Sequence, residues 1–463
     1  MQRIFAIVWL TWKAALRFRL FIVIAVLLLG AVVGLPILIK DDGTARGFTQ
    51  ILLTYTLSAI TGLLGLSTLW LSCGILARDI EDCQMQVVAT KPIARWQIWV
   101  GKWLGIMTLN AALLALAGGG VFFLLQWRAT KLPAAQQEVL RNEVLVARGS
   151  AKEKDLNPEI DAATDTELQK RLGTKAGALN GAQLAEVRKQ LREQVKAAFQ
   201  VVPAGDYRVW QIDLGMATSS LRDRPLQLRV KFNAAASRAA STYLALWQLG
   251  VPETAHFQRL EPMSLAADTF HEFSIPAGLI DEKGVLTILF LNQNNSALLF
   301  PLEDGMEVLY RESGFAVNFA RGLGIILCWM GFLAALGLAA ASLLSFPVAA
   351  FFSLAMLVLG LSSGTLSSAV ENGTVAGVDA ESGVAGRSSA DTVAVPFFKA
   401  VLSVIHVVKQ FSPIDSLSTG RSITWSELGS AFTQIVLLLG GVFAVLGIWF
   451  FSRRELATAQ GTQ

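Results

Sequence analysis

The side chains best equipped to act together lie in one stretch, ARDIEDCQMQVVATKPIARWQIWVGKWLG, Ala77–Gly105. Arg78, Asp79, Glu81, Asp82, Lys91 and Arg95 bring charges of both signs between two apolar runs, Phe48–Leu76 and Trp103–Gln126. Met85 and Val88 stand among them, on a short helix expected over Gln84–Thr90 and broken at Lys91-Pro92. This mixture suits docking: apolar side chains enter a partner's groove while Glu81, Asp82 and Arg95 pair with charges around it. A plain cytoplasmic loop obeying the positive-inside rule accounts for Lys91, Arg95 and Lys102, but not for the acidic Asp79, Glu81 and Asp82.

Catalysis has little to stand on. No G-x-x-x-x-G-K-[ST] string cradles nucleotide phosphates, and no H-E-x-x-H or C-x-x-C occurs. His256, His271 and His406 are scattered. We expect no catalytic residue, no metal site and no cofactor bound by the chain. A net charge of +4 without a recurring basic run gives nucleic acid no footing. Cys73, Cys83 and Cys328 lie in or beside apolar blocks, so the polar middle folds without disulfides.

The elements that must position the charged stretch are membrane spans. The chain is 53% hydrophobic and 16% charged, with the apolar residues gathered in blocks. Six segments reach the required length of about 20 residues: Leu20–Ile39, Phe48–Leu76, Trp103–Gln126, Gly322–Leu343, Pro347–Ser368 and Phe432–Phe451. The first is too long for a signal-peptide core and lacks a cleavage pattern, so it reads as retained. Lysines and arginines cluster before the first span, between the second and third, and after the last, which puts residues 77–96 and both termini in the cytoplasm. Thr392–Phe411 carries Lys399, His406 and Lys409; a seventh span would reverse the charge bias, so a helix lying in the outer interface is expected. The spans themselves hold few ionisable groups. Asn318 and Arg321 stand at the outer end of the fourth, with Arg321 read as snorkelling to headgroups and contact with an anionic cargo as the alternative.

Residues 127–315 then lie outside, periplasmic or extracellular. Leu184, Val187, Leu191, Val195 and Phe199 recur at helical steps, so 127–200 reads as helical, with the polar Gly149–Thr174 expected as loop between the helices. From Tyr207 the period changes to two, clearest where Leu226, Leu228, Val230 and Phe232 alternate with Gln227, Arg229 and Lys231. Further strands are expected over Arg208–Leu214, Thr242–Leu249, Thr269–Ile275, Val285–Asn292 and Glu307–Arg311, as an antiparallel sandwich or jelly roll over 205–312.

Arg78-Asp79-Ile80-Glu81-Asp82, Lys91-Pro92-Ile93, Arg95-Trp96 and Gly101-Lys102 resemble the loop after the second span in ABC type-2 exporter permeases, closest to the multi-copper enzyme maturation permease-like branch. The ending Phe451–Leu456 and an amphipathic N-terminal helix, Ile4–Phe18, are similar to that family too. The resemblance covers the membrane half; the external insert is far larger than the family's usual loop there.

The resemblance implies an all-α membrane fold of six transmembrane helices of the ABC type-2 exporter kind, into which the α+β external domain read above, with its antiparallel sandwich or jelly-roll-like part, is inserted. Its parts are an elbow helix (1–19), spans 1–3 with a coupling helix (20–126, the helix at 77–96), the external domain (127–315), spans 4–5 (316–369), an external loop with a membrane-dipping helix (370–428), and the last span with its tail (429–463). It further implies an inner-membrane permease, homodimeric or heterodimeric, seated on a separate ABC ATPase subunit that binds ATP and Mg. Membrane lipids and an external protein partner of the β-domain complete the expected contacts. Three rivals remain: a mechanotransmitter acting on that external partner, a lipid-shuttling permease of the lipopolysaccharide-transport type, and a membrane-anchored binding protein without an ATPase.

Overall fold

A computed structural model describes residues 2–17, 19–38, 44–82, 85, 91, 93–140, 144–172, 181–215, 221, 222, 224–234, 242–252, 254, 257–361, 367, 370 and 391–454. The chain forms two compact units, residues 1–147 with 313–463, and residues 148–312.

The first unit is helical. Helices α1 (Gln2–Arg17) and α2 (Arg19–Leu38) are followed by two long helices, α3 (Ala45–Glu81) and α4 (Arg95–Ala129), and by the short α5 (Ala134–Val139). Among the described residues five helical segments are long and apolar enough to cross a membrane: Gly47–Glu81, Arg95–Ala129, Phe315–Leu343, Asp391–Ser418 and Trp425–Arg453. A sixth is reached if Gln2–Arg17 and Phe21–Pro36, bent 78° to one another, are joined as one.

Two features depart from expectation. The expected fifth span is a helix of 16 residues, Phe346–Leu361, short of a crossing among the described residues. Conversely, the segment expected in the interface belongs to a stretch of spanning length, Asp391–Ser418. Its Lys399, Ser403 and His406 nevertheless share one exposed stripe, while Val401 and Leu402 pack against Met356 and Leu359. This one-sided burial suits the edge of a membrane as well as its interior.

In the second unit the polar segment expected as loop over Gly149–Thr174 instead begins in a strand, β1 (Val146–Ala151), and continues as helix, because its polar residues pair across helix surfaces. Two charged helices follow, α6 (Asn157–Leu172) and α7 (Gly181–Gln200), tied by Arg188–Asp165 and Arg192–Asp161 pairs at 2.9 and 2.7 Å. The period-two segments become β3 (Tyr207–Asp213), β4 (Leu226–Val230), β6 (Thr242–Gly250), β9 (His271–Ile275), β10 (Val285–Leu291) and β12 (Met306–Gly314). The remaining strands are short: β2 (Val201–Val202), β5 (Asn233–Ala234), β7 (Gln258–Arg259), β8 (Met263–Ala266) and β11 (Leu298–Leu299).

One sheet runs β1-β12-β4-β9. A second runs β3-β10-β6-β7 with β8 on β6, and a third β2-β11-β5. The pairs β3–β10, β10–β6, β12–β4 and β4–β9 are antiparallel. Leu226, Leu228 and Val230 turn inward as their alternation requires. Arg229 on the opposite face of β4 is buried too, because the cations of this sheet meet carboxylates from other strands: Arg229 lies 3.0 Å from Glu307, and Arg148 of β1 lies 2.9 Å from Glu272.

An aromatic cluster fills the interior. Trp247 lies 4.6 Å from Phe290 between ring centres, and Trp210 lies 5.2 Å from Phe300. Truncating a buried tryptophan costs about 3–5 kcal/mol. Trp247→Ala should therefore expose residues 148–312 to protease at temperatures where the parent chain resists, while the helical unit stays intact; equal resistance would show that the rings do not hold this unit together.

A charged end of the helix bundle

The third stretch of helices, α8 (Phe315–Leu343) and α9 (Phe346–Leu361), and the last, α10 (Asp391–Gln410), α11 (Pro413–Ser418), α12 (Trp425–Ala431) and α13 (Gly441–Arg453), complete the first unit; a π-helical segment, Phe432–Gly440, leads into α13. The charged stretch of the sequence sits where α3 ends and α4 begins.

Its charges are spent on the ends of other helices. A helix leaves its last carbonyls and first N–H groups without partners, so a cation suits one end and an anion the other. Arg95, at the start of α4, donates from Nη1 to the carbonyls of Phe451, Ser452 and Arg454 at 2.9, 2.9 and 2.8 Å, closing the C-terminus of α13. Arg454 in turn donates to the carbonyls of Ala341 and Ser342 at 3.4 and 3.2 Å, at the C-terminus of α8. Glu81 accepts from the backbone N–H of Phe346 at 2.9 Å, opening α9. The Arg78 guanidinium lies 4.6 Å from the centre of the Phe346 ring.

Asp79 is paired with Lys102, which also donates to the carbonyl of Ile75 at 3.3 Å, so α3 and α4 are joined by an ion pair. Lys102 is 6% exposed at its side chain and Asp79 26%. Lys102 was read only as a topology signal in the sequence, and Arg454 only as a tail charge; neither spacing reveals that they meet other helices.

The elbow helix α1 packs on α4 through Gly101 and Gly105. A Cβ added at Gly105 would sit 2.6 Å from Thr11 Cβ, and one at Gly101 would sit 2.9 Å from Ile7 Cβ. This is the small-xxx-small spacing that lets helix backbones approach in a membrane. The signal was present in GKWLG of the opening stretch.

Met85 is 2% exposed and joins the apolar cluster of Ile7, Ile98 and Trp99, so it does not offer an exposed knob for a partner. Asp82 and Lys91 are exposed, and Trp96 is 49% exposed. Val88 and Pro92, and with them most of the expected coupling helix, lie outside the described residues.

At the other end of α8, Asn318 and Arg321 turn into the bundle. Asn318 is fully buried; its amide donates to the carbonyl of Arg421 at 2.8 Å and its oxygen accepts from the N–H of Ile423 at 2.7 Å. Arg321 is 9% exposed, donates to the carbonyl of Ile423 at 2.8 Å and lies 4.7 Å from the Trp425 ring. Both side chains turn inward because the extended backbone before α12 carries groups that no helix satisfies. They hold that connection through its backbone groups.

Among the described residues no group of three or more His, Cys, Asp or Glu is gathered to hold a metal. One string, Gly360–Gly364 (GLSSG), matches G-x-S-x-G, but it follows an apolar helix rather than a strand, and Ser362 lies outside the described residues. Comparisons with family models, with curated proteins and with solved structures returned no match.

The unequal burial of the ion pair has a measurable consequence. Removing the carboxylate strands a buried ammonium, whereas removing the ammonium leaves a carboxylate that water reaches. Asp79→Asn should lower thermal stability in detergent by about 3 kcal/mol, more than Lys102→Met, and the double variant should recover most of that loss. Equal losses from the two single changes would contradict this.

Proposed function

We propose that the chain is the membrane subunit of an ATP-driven exporter of the ABC type-2 class, in the inner membrane, with its charged end in the cytoplasm and residues 148–312 outside. A separate ATPase subunit would bind ATP and Mg, and two membrane subunits would pair above it. In the bundle, α2, α3, α4, α8 and the segment Trp425–Arg453 that ends in α13 would cross; α9 would belong to the sixth crossing, expected over Pro347–Ser368, and α10 would lie at the outer interface.

The observation that carries this reading is the set of ties made by Asp79, Glu81, Arg95 and Arg454. Through them the α3–α4 loop is connected to the ends of α8, α9 and α13. A displacement of that loop by an ATPase would therefore reach several helices at once, rather than bending one hairpin. The exposed Asp82, Lys91 and Trp96 offer a docking face of mixed charge with one aromatic anchor.

A mechanotransmitting variant of this function has its own support. The interior of the external unit is filled by Trp210, Trp247, Phe290 and Phe300, all buried. Lipid would have to travel elsewhere, which disfavours the lipid-shuttling alternative. The buried polar groups Asn110, Asn318 and Arg321 are hydrogen-bonded within the bundle. Force delivered from the cytoplasm would then act on a protein held by the external unit.

Asp82→Lys together with Lys91→Glu reverses two exposed charges without touching the helix-end ties. Co-purification with a co-expressed ABC ATPase subunit that binds the parent chain should fall by about tenfold or more, with membrane insertion and yield retained. Undiminished co-purification would remove the docking role. Stimulation of that ATPase by lipid in vesicles would favour export over mechanotransmission.

A further inference from the structure

The cavity between α1 and the α3–α4 pair is not used by the reading above. It measures about 380 Å³, within the range of small-molecule sites. Lys13, Arg17 and Lys102 line it with Asp79, and Ile7 and Leu10 form an apolar wall. The carboxylate of Asp79 is already taken by Lys102. Lys13 lies 5.6 Å from the centre of the Trp9 ring, and neither it nor Arg17 has a carboxylate partner among the described residues. The cavity thus carries two cations, one turn of helix apart, without a carboxylate partner among the described residues.

What surrounds the cavity identifies its occupant. The outward face of α1 exposes Phe5, Trp9, Leu10 and Leu16. After Phe18 the chain continues into α2, whose exposed Ile22, Val23, Val26 and Leu27 belong to a helix of membrane character. The apolar face of α1 is therefore continuous in sequence with a lipid-facing surface, and its tryptophan and cations are the residues of an interfacial helix. A ligand entering here comes from the headgroup layer.

We propose that this cavity is a seat for the phosphodiester headgroup of an anionic phospholipid, held by Lys13 and Arg17, with its acyl chains along Leu10 and the outer face of α1. The shared chemistry is that of a phosphate group, which inorganic phosphate also offers; only the lipid adds the apolar part that the wall fits. A headgroup there would clamp the elbow helix against the Asp79–Lys102 pair and so make the charged end of the bundle dependent on lipid composition. The site needs only that the chain resides in a membrane, not that it serves an ATPase.

The full chain, purified in detergent, is offered phosphatidylglycerol, phosphatidylcholine with the same acyl chains, and inorganic phosphate, and bound lipid is counted by native mass spectrometry. Phosphatidylglycerol should be retained over phosphatidylcholine, and Lys13→Gln with Arg17→Gln should reduce its retention on the order of tenfold. Arg453→Gln, which removes an exposed cation outside the cavity, should leave lipid retention unchanged. Equal retention of the two lipids, or unchanged retention in the double variant, overturns the site. Displacement of the lipid by inorganic phosphate overturns the lipid assignment in favour of a free-anion site. If the double variant keeps its lipid but loses a co-purifying ATPase, the cations serve a protein and the lipid proposal falls. An unaltered gel-filtration profile of the double variant keeps these outcomes separate from misfolding.

Discussion

The structure depends on how helix ends are satisfied at one end of the bundle. Each helix arriving there brings backbone groups with no partner of their own, and in a largely apolar protein few side chains are available to meet them. The chain answers with long charged side chains from a neighbouring helix or its flank. Arg95 meets three carbonyls, Arg454 two, and Glu81 one N–H. A charge used in this way is both a cap and a mechanical joint, since the helix it caps cannot move without it.

The same residues explain why the loop is rich in acid as well as base. A loop governed only by membrane orientation needs lysine and arginine; one that must also open α9 and hold Lys102 needs carboxylates. The glycines of GKWLG belong to the same arrangement. They let α1 lie close on α4, which brings Lys13 and Arg17 to the cavity beside Lys102. Orientation, packing and electrostatics thus converge on some thirty residues of sequence.

The unit of residues 148–312 solves a different problem. Both faces of its β1-β12-β4-β9 sheet are buried at the centre, one by aliphatic and aromatic side chains, the other by alternating arginine and glutamate. Leaving any one of these charges alone would cost several kcal/mol, so the ladder holds as a set. A half-buried strand and a strand buried on both sides with ion pairs have the same alternating pattern, which is why Arg229 reads as a solvent-facing residue until its partners are known.

Much of this protein follows from local properties of the chain. Apolar length marked α2, α3, α4, α8 and the segment of α13; the change of period at Tyr207 marked the strands; the mixed charges of Ala77–Gly105 marked the region where elements meet. These are readable because hydrophobic length and periodicity depend on neighbours in sequence. What tertiary structure alone decided is the use of each charge: that Arg95 closes α13, that Asn318 and Arg321 turn inward to the backbone before α12, and that Met85 is buried. Those partners are hundreds of residues apart in several cases, and no spacing along the chain encodes which helix end a side chain will reach.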